Sequence, residues 1–316
     1  MITAAGLLWK VPVLSSKASK PSTKIGFDMP SGACDCHVHI FDPKQFPFAG
    51  TRGYTPEPAS IDELRGLHKA LHIDRVVVVQ PSVYGTDNRC TLDAIRKVGN
   101  GARGVAVIDE KTTDAALDEM TRAGVRGIRL NFNQAGLADP AAARQQVQIA
   151  IERVKDRNWH IQINTGPAMI DAIASVLSSS PVPIVFDHFG GALGRVAEGM
   201  QQPGFAAVLN LVRTGKAYVK ISAAADQPPD HGVRLADVAP LARAFVSANP
   251  QRILWGTNWP HPDAAAVPGR KNTDLAPLLQ TDDGRILNLL PVWVPDPGTR
   301  RTILVDNPAK LYGFSV

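Results

Sequence analysis

His37 and His39 stand one residue apart in the run Ala33-Cys34-Asp35-Cys36-His37-Val38-His39-Ile40. The run reads as a β-strand, and residues i and i+2 of a strand share a face. Two imidazoles aimed at one spot make a metal site, or a site that polarises a carbonyl and handles protons. Either is chemistry rather than packing. The plain alternative is two hydrogen-bonded histidines at a strand end.

The elements that must position them follow a simple alternation. Short β-branched runs lie at 34–40, 75–80, 104–108, 125–130, 160–164, 183–187, 217–221 and 252–255. Amphipathic stretches lie at 61–71, 91–98, 114–123, 141–155, 170–177, 205–214 and 235–248. The short runs are almost continuously apolar, as expected of parallel strands covered on both faces. Ser60 with Glu63 three places on reads as a capping box, and Thr113 reads as an N-cap. This pattern predicts an α/β protein, a single (β/α)8 TIM barrel. A doubly wound sheet would want a Gly-rich phosphate loop after an early strand, and none is present. The barrel is expected over 32–316, behind a flexible leader at 1–31. A Pro-interrupted C-terminal helical extension over 275–299 leads to a last helix at 307–311. Segments 227–232 and 260–272 read as loops.

A barrel carries its chemistry at the C-terminal ends of its strands. The first strand ends in His37 and His39, and the second runs into Gln80-Pro81-Ser82. The fourth carries Arg129 and Asn131, and the fifth ends at Asn164. The sixth ends in Asp187-His188, the seventh carries Lys220 and Ser222, and the eighth leads into Asn258, His261 and Asp263. Packing alone would not gather His, Arg and Lys on one rim. Asp187, one residue before His188, should face away from it and orient neighbouring groups. His160 sits at the opposite end of the fifth strand.

Composition narrows the partners. The chain has 316 residues, 44% of them hydrophobic and 20% charged, enough for one large core. The net charge of +5 is spread singly and in pairs, which leaves no nucleic-acid footprint and mildly favours an anionic small molecule. No apolar stretch reaches the ~18 residues of a membrane span. Cys34, Cys36 and Cys90 form no disulfide framework, which points to a reduced compartment. Residues 2–9 are mostly apolar but lack a basic start, so the expected location is the cytoplasm. A truncated export signal would place the protein in the periplasm instead.

The motifs Asp35-x-His37-x-His39, Asp187-His188 and Trp255-Gly256-Thr257-Asn258-Trp259-Pro260-His261-Pro262 together resemble the amidohydrolase superfamily. More narrowly they resemble the branch that contains 2-pyrone-4,6-dicarboxylate lactonase and sugar-acid lactone hydrolases and isomerases. Phe46-Pro47-Phe48, Tyr54-Thr55-Pro56, Gly85-Thr86-Asp87-Asn88 with Thr91-Leu92-Asp93, Gly127-Ile128-Arg129 and Asn307-Pro308-x-x-Leu311-Tyr312 extend the likeness from about Gly32 to Tyr312. The resemblance implies opening of a lactone ring by activated water, with the strand-8 acid as general base. It implies that His37, His39 and His188 polarise the carbonyl, and that Arg129 holds a substrate carboxylate. Tyr54, Ser82 and His261 match substrate-contacting positions of the pattern, and Asn164 falls where the branch has a tyrosine.

Departures from the pattern shape the expectation. Metal-dependent relatives use the two strand-1 histidines, a strand-5 histidine, often the strand-6 histidine and a strand-8 aspartate. Here the strand-5 and strand-8 positions are Asn164 and Asn258, and amides are poor zinc ligands. No cofactor is therefore expected, with zinc on His37, His39 and His188 as the alternative. Arginines of the dicarboxylate lactonase fall on Ala135, Gly191 and Asp226, so a monoanionic or neutral lactone is expected. Asn258 replaces the general base. It marks an engineered knock-out, a variant whose base moved, or a non-catalytic binder. Asp263, five residues on, is the expected substitute. A lactone isomerase and a metal-dependent decarboxylase of the superfamily are the competing activities.

Overall fold

Residues 76–79 are four consecutive valines, all buried, as a strand must be when helices cover one face and barrel-filling side chains the other. The computed structural model describes residues 18–224, 235–264 and 268–315. Eight parallel strands lie side by side in chain order: β1 (Cys34–Val38), β2 (Arg75–Val79), β3 (Ala102–Ala106), β4 (Val125–Asn131), β5 (His160–Asn164), β6 (Ile184–Phe186), β7 (Ala217–Ser222) and β8 (Ile253–Gly256). The ring is closed just beyond β8. Val38 bridges Trp259 in parallel. The His39 N–H donates to the Trp259 carbonyl at 2.8 Å, and the Asn258 N–H to the His37 carbonyl at 2.9 Å. Buried Asp35 adds a side-chain stitch, accepting from the Thr257 N–H at 3.0 Å and its hydroxyl at 2.6 Å. The chain thus folds as the predicted (β/α)8 barrel.

Helices form where the periodicity places them. Ile61–Leu71 starts at a complete Ser60–Glu63 capping box and turns Ile61, Leu64, Leu67 and Leu71 inward. Asp114–Ala123 begins at Thr113. Two elements differ from expectation. β3 begins and ends two residues early because Asn88 captures Val107, accepting from its N–H at 3.0 Å and donating to its carbonyl at 2.8 Å. The helix expected over 170–177 divides at Ile173 into Pro167–Ala172 and Ala174–Ser178.

The leader needs a correction. Residues 18–31 are docked rather than loose: Ser22 and Thr23 donate side-chain hydroxyls to Asp282 at 2.7 Å each, and the Gly26 N–H donates to Asn288 at 2.8 Å. Residues 1–17 and the 227–232 loop lie outside the described residues. The C-terminal extension contributes a two-residue strand, Leu275–Ala276, paired with Thr55–Pro56 near the cavity mouth, and the chain closes on the helix Asn307–Tyr312.

Candidate active site

His37, on β1, and His39, one residue past its end, do point the same way. Their Nε2 atoms lie 3.2 Å apart, with His37 fully buried and His39 almost so. The outer ring nitrogen of His39, Nδ1, is 2.8 Å from the Val79 carbonyl at the end of β2. A carbonyl only accepts, so this nitrogen carries the hydrogen. Burial foremost, with the Arg129 charge next, pushes the His39 pKa down to about 3. The ring is therefore neutral near pH 7.

Asp187 faces inward, on the same side of the strand as Val185, which pairs with inward-facing Gln162. β6 has ended at Phe186, and His188 and Phe189 both take positive φ, 48° and 57°. The chain turns there instead of continuing its pleat, so His188 joins Asp187 in facing the barrel axis. Arg129 Nε donates to Asp187 Oδ2 at 2.9 Å, and Gln162 Nε2 to the same oxygen at 3.1 Å. His37 Nδ1 lies 3.2 Å and Lys220 Nζ 3.7 Å from Asp187 Oδ1. Burial alone would raise the carboxyl pKa. Arg129, His37 and Lys220 outweigh it and hold Asp187 well below the usual carboxylate range. Asp187 orients its neighbours, as expected, but from the inside.

Above this charged floor opens a cavity of about 140 Å³. His39, Tyr54, Ser82, Arg129, His188 and Asn258 bound it, and Asn131, Gln134 and Asn164 add amides. Arg129 commits Nε to Asp187, and no bond from the described residues ties its two Nη atoms. Among the described residues it is the single charged side chain on the wall. His188 places Nδ1 2.9 Å from the Ser222 hydroxyl and leaves Nε2 uncommitted. Burial foremost lowers its pKa to about 4. Tyr54 is pushed up to about 12, chiefly by burial, and stays a proton donor. Asn258, at φ 69°, spends its backbone N–H on the barrel seam and keeps its amide side chain for the cavity.

Two expected residues are held elsewhere. Asp263 Oδ2 accepts from Arg270 Nη1 at 2.8 Å, and Asp263 is not among the residues lining the cavity. His261 Nε2 lies 3.0 Å from buried Asp283 and likewise faces away from the cavity. His160 packs at the far end of β5, its Nδ1 2.7 Å from the Arg126 carbonyl. Gln162 had gone unnoticed in the sequence, although it shares a strand face with Asn164. Lys220 was visible as a lone charge in an apolar strand, but no role had been attached to it.

One group of potential metal donors is present among the described residues: His37, Asp187 and His188, with ligand atoms within 4.8 Å of one another. The 3.2 Å gap between the strand-1 Nε2 atoms is close to the ~3.3 Å edge of a tetrahedral zinc site with ~2.0 Å Zn–N bonds. The charges argue the other way. Arg129 and Lys220 already neutralise the one carboxylate, and a divalent ion would sit beside two resident cations. Spacing therefore favours an ion at this site, and charge opposes one.

The amidohydrolase family model matches residues 34–314. The chain belongs to the amidohydrolase family. It is 35% identical over 303 residues to the 2-pyrone-4,6-dicarboxylate hydrolase of Comamonas testosteroni, covering 93% of each chain. It is 34% identical over 291 residues to the 4-sulfomuconolactone hydrolase of Hydrogenophaga intermedia, covering 91% of this chain and 90% of that one. A solved apo structure from Agrobacterium tumefaciens superposes with a TM-score of 0.74 at 27% identity, covering 93% of this chain and 99% of the other. This amidohydrolase has no helix, among the described residues, long and apolar enough to cross a membrane.

Proposed function

We propose that the protein hydrolyses a small lactone bearing one anionic group, using water and no metal ion. The observation that carries this is the cavity wall: one guanidinium with a free Nη pair, faced by neutral imidazoles, hydroxyls and amides. A guanidinium fork suits a carboxylate or sulfonate, and one fork suits one such group. The names of the two relatives, both lactone hydrolases, support the same substrate class.

Hydrolysis then proceeds as follows. Arg129 anchors the anion and turns the lactone carbonyl toward Tyr54 and Ser82, whose hydroxyls donate to the oxygen as it gains charge. Water, held by the Asn258 amide, attacks the carbonyl carbon and loses a proton to His188 Nε2. The ring C–O bond breaks, His188 returns the proton to the departing oxygen, and a hydroxy acid leaves. We assign the base to His188 rather than Asp263 because Arg270 occupies that carboxylate. Three free, buried cysteines support a cytoplasmic setting.

A panel of lactones, assayed by acid release with and without chelator and by NMR of the product, tests this. Acid release from a monoanionic lactone that persists in chelator is expected. Loss that zinc restores overturns the metal-free mechanism, and an isomeric product without acid release replaces hydrolysis with isomerisation.

A further inference from the structure

Lys220 is fully buried in β7 and is not among the residues that line the cavity. Burying an ammonium costs several kcal/mol unless its partners recover it. Its partners are specific. Nζ donates to Gln162 Oε1 at 2.6 Å and to His37 Nδ1 at 3.4 Å.

The protons can be followed from one end. Val79 accepts, so His39 carries its hydrogen on Nδ1 and offers a lone pair at Nε2. His37 Nε2, 3.2 Å away, must then supply the hydrogen between the rings. That leaves a lone pair on His37 Nδ1, which is where Lys220 donates. Asp187 Oδ1 lies 3.2 Å from the same nitrogen yet has no hydrogen-bond partner. The carboxylate is near enough to compete for a proton on Nδ1.

We propose that Lys220 is a positioning residue whose donation to His37 Nδ1 holds the His37 proton on Nε2, so that the two strand-1 imidazoles close on each other instead of opening two lone pairs to a divalent cation. Without the ammonium, Asp187 Oδ1 draws the proton to Nδ1, and both Nε2 lone pairs converge across a gap that suits zinc. Lys220 is the reason a His-x-His strand is metal-free here. This rests on the metal-free reading above and gives it a cause.

Two measurements on full-length, zinc-free protein test it. Ring 15N NMR should find His37 of the wild type as the Nε2–H tautomer, and Lys220→Met should convert it to Nδ1–H. Calorimetric titration with zinc should show one ion bound at least 100-fold more tightly by Lys220→Met than by wild type. A wild-type His37 in the Nδ1–H form overturns the proposal, and so does equal zinc affinity of the two proteins. The tautomer is read on unmodified protein, so a variant that fails to fold does not protect the idea. Wild type with Nε2–H on His37 but no lactone turnover supports the proton assignment and refutes the substrate reading instead.

Discussion

Gly256 on β8 and His37 on β1 approach so closely that a Cβ at 256 would stand 2.8 Å from the His37 amide nitrogen and 2.9 Å from its Cβ. Both distances are below what real side chains tolerate, so glycine is required where the seam closes. The same contact sets the height of His37 under the cavity. Gly256→Ala must push one strand away, at a cost of about 1–3 kcal/mol as for other overpacked cores. Thermal melting should show a lower midpoint, and kcat should fall while KM for the lactone changes little. An unaltered melting curve would show that the seam has slack.

His188 and Asp263 are competing candidates for the base, and the structure ranks them. His188 Nε2 is uncommitted at the cavity, whereas the Asp263 carboxylate is locked to Arg270. His188→Asn should reduce kcat by about 10²- to 10⁴-fold, the usual worth of a positioned acid–base group. Asp263→Asn should stay within a few-fold of wild type. Steady-state kinetics on a turned-over lactone decides, and the opposite order would return the base to Asp263.

Arg129 makes a different prediction, because Asp187 holds its Nε and the proposed mechanism gives its Nη pair to the substrate. Lysine keeps the charge and loses the fork. Arg129→Lys should raise KM for a monoanionic lactone roughly tenfold or more, about one charge-assisted hydrogen bond. A neutral lactone of the same ring should be affected far less. Equal loss on both substrates would mean that Arg129 acts only by holding Asp187.

Most of the architecture was legible because strand periodicity and apolar runs are local properties. The barrel, the capping box at Ser60 and the shared face of His37 and His39 all follow from spacing alone. What escaped was set by turns and by distant pairing. That His188 faces the axis together with Asp187 depends on positive φ at His188, which a pleat-based reading cannot foresee. The removal of Asp263 depends on Arg270, seven residues on across a loop, and that of His261 on Asp283. Lys220 announced itself as a charge in an apolar strand, but its contact with the back of His37 depends on the pairing of distant strands.

The buried histidines also give the fold an acid-labile side. Burial foremost lowers His39 and His160 to about 3 and His188 to about 4, and lowers His37 well below its usual value. In the unfolded chain these groups titrate near 6.5. As the pH falls through 6.5 the unfolded chain takes up protons that the folded chain refuses, so acid favours unfolding. Each such histidine removes about 1.4 kcal/mol per pH unit below 6.5, until its own folded-state value is reached. For His188 that loss ends near pH 4, and for His39 and His160 nearer pH 3. Lys220 works in a different window: its pKa is lowered to about 8, so stability rises as the pH climbs from about 8 toward 10.5. Urea unfolding at pH 7, 6, 5 and 4.5 should show a midpoint that is nearly constant above 6.5 and falls steeply below it. His160→Gln sits far from the cavity and should flatten part of that slope without altering lactone turnover. A midpoint flat from pH 7 to 4.5 would mean that these imidazoles are hydrated, and that the dry floor on which the site is built does not exist.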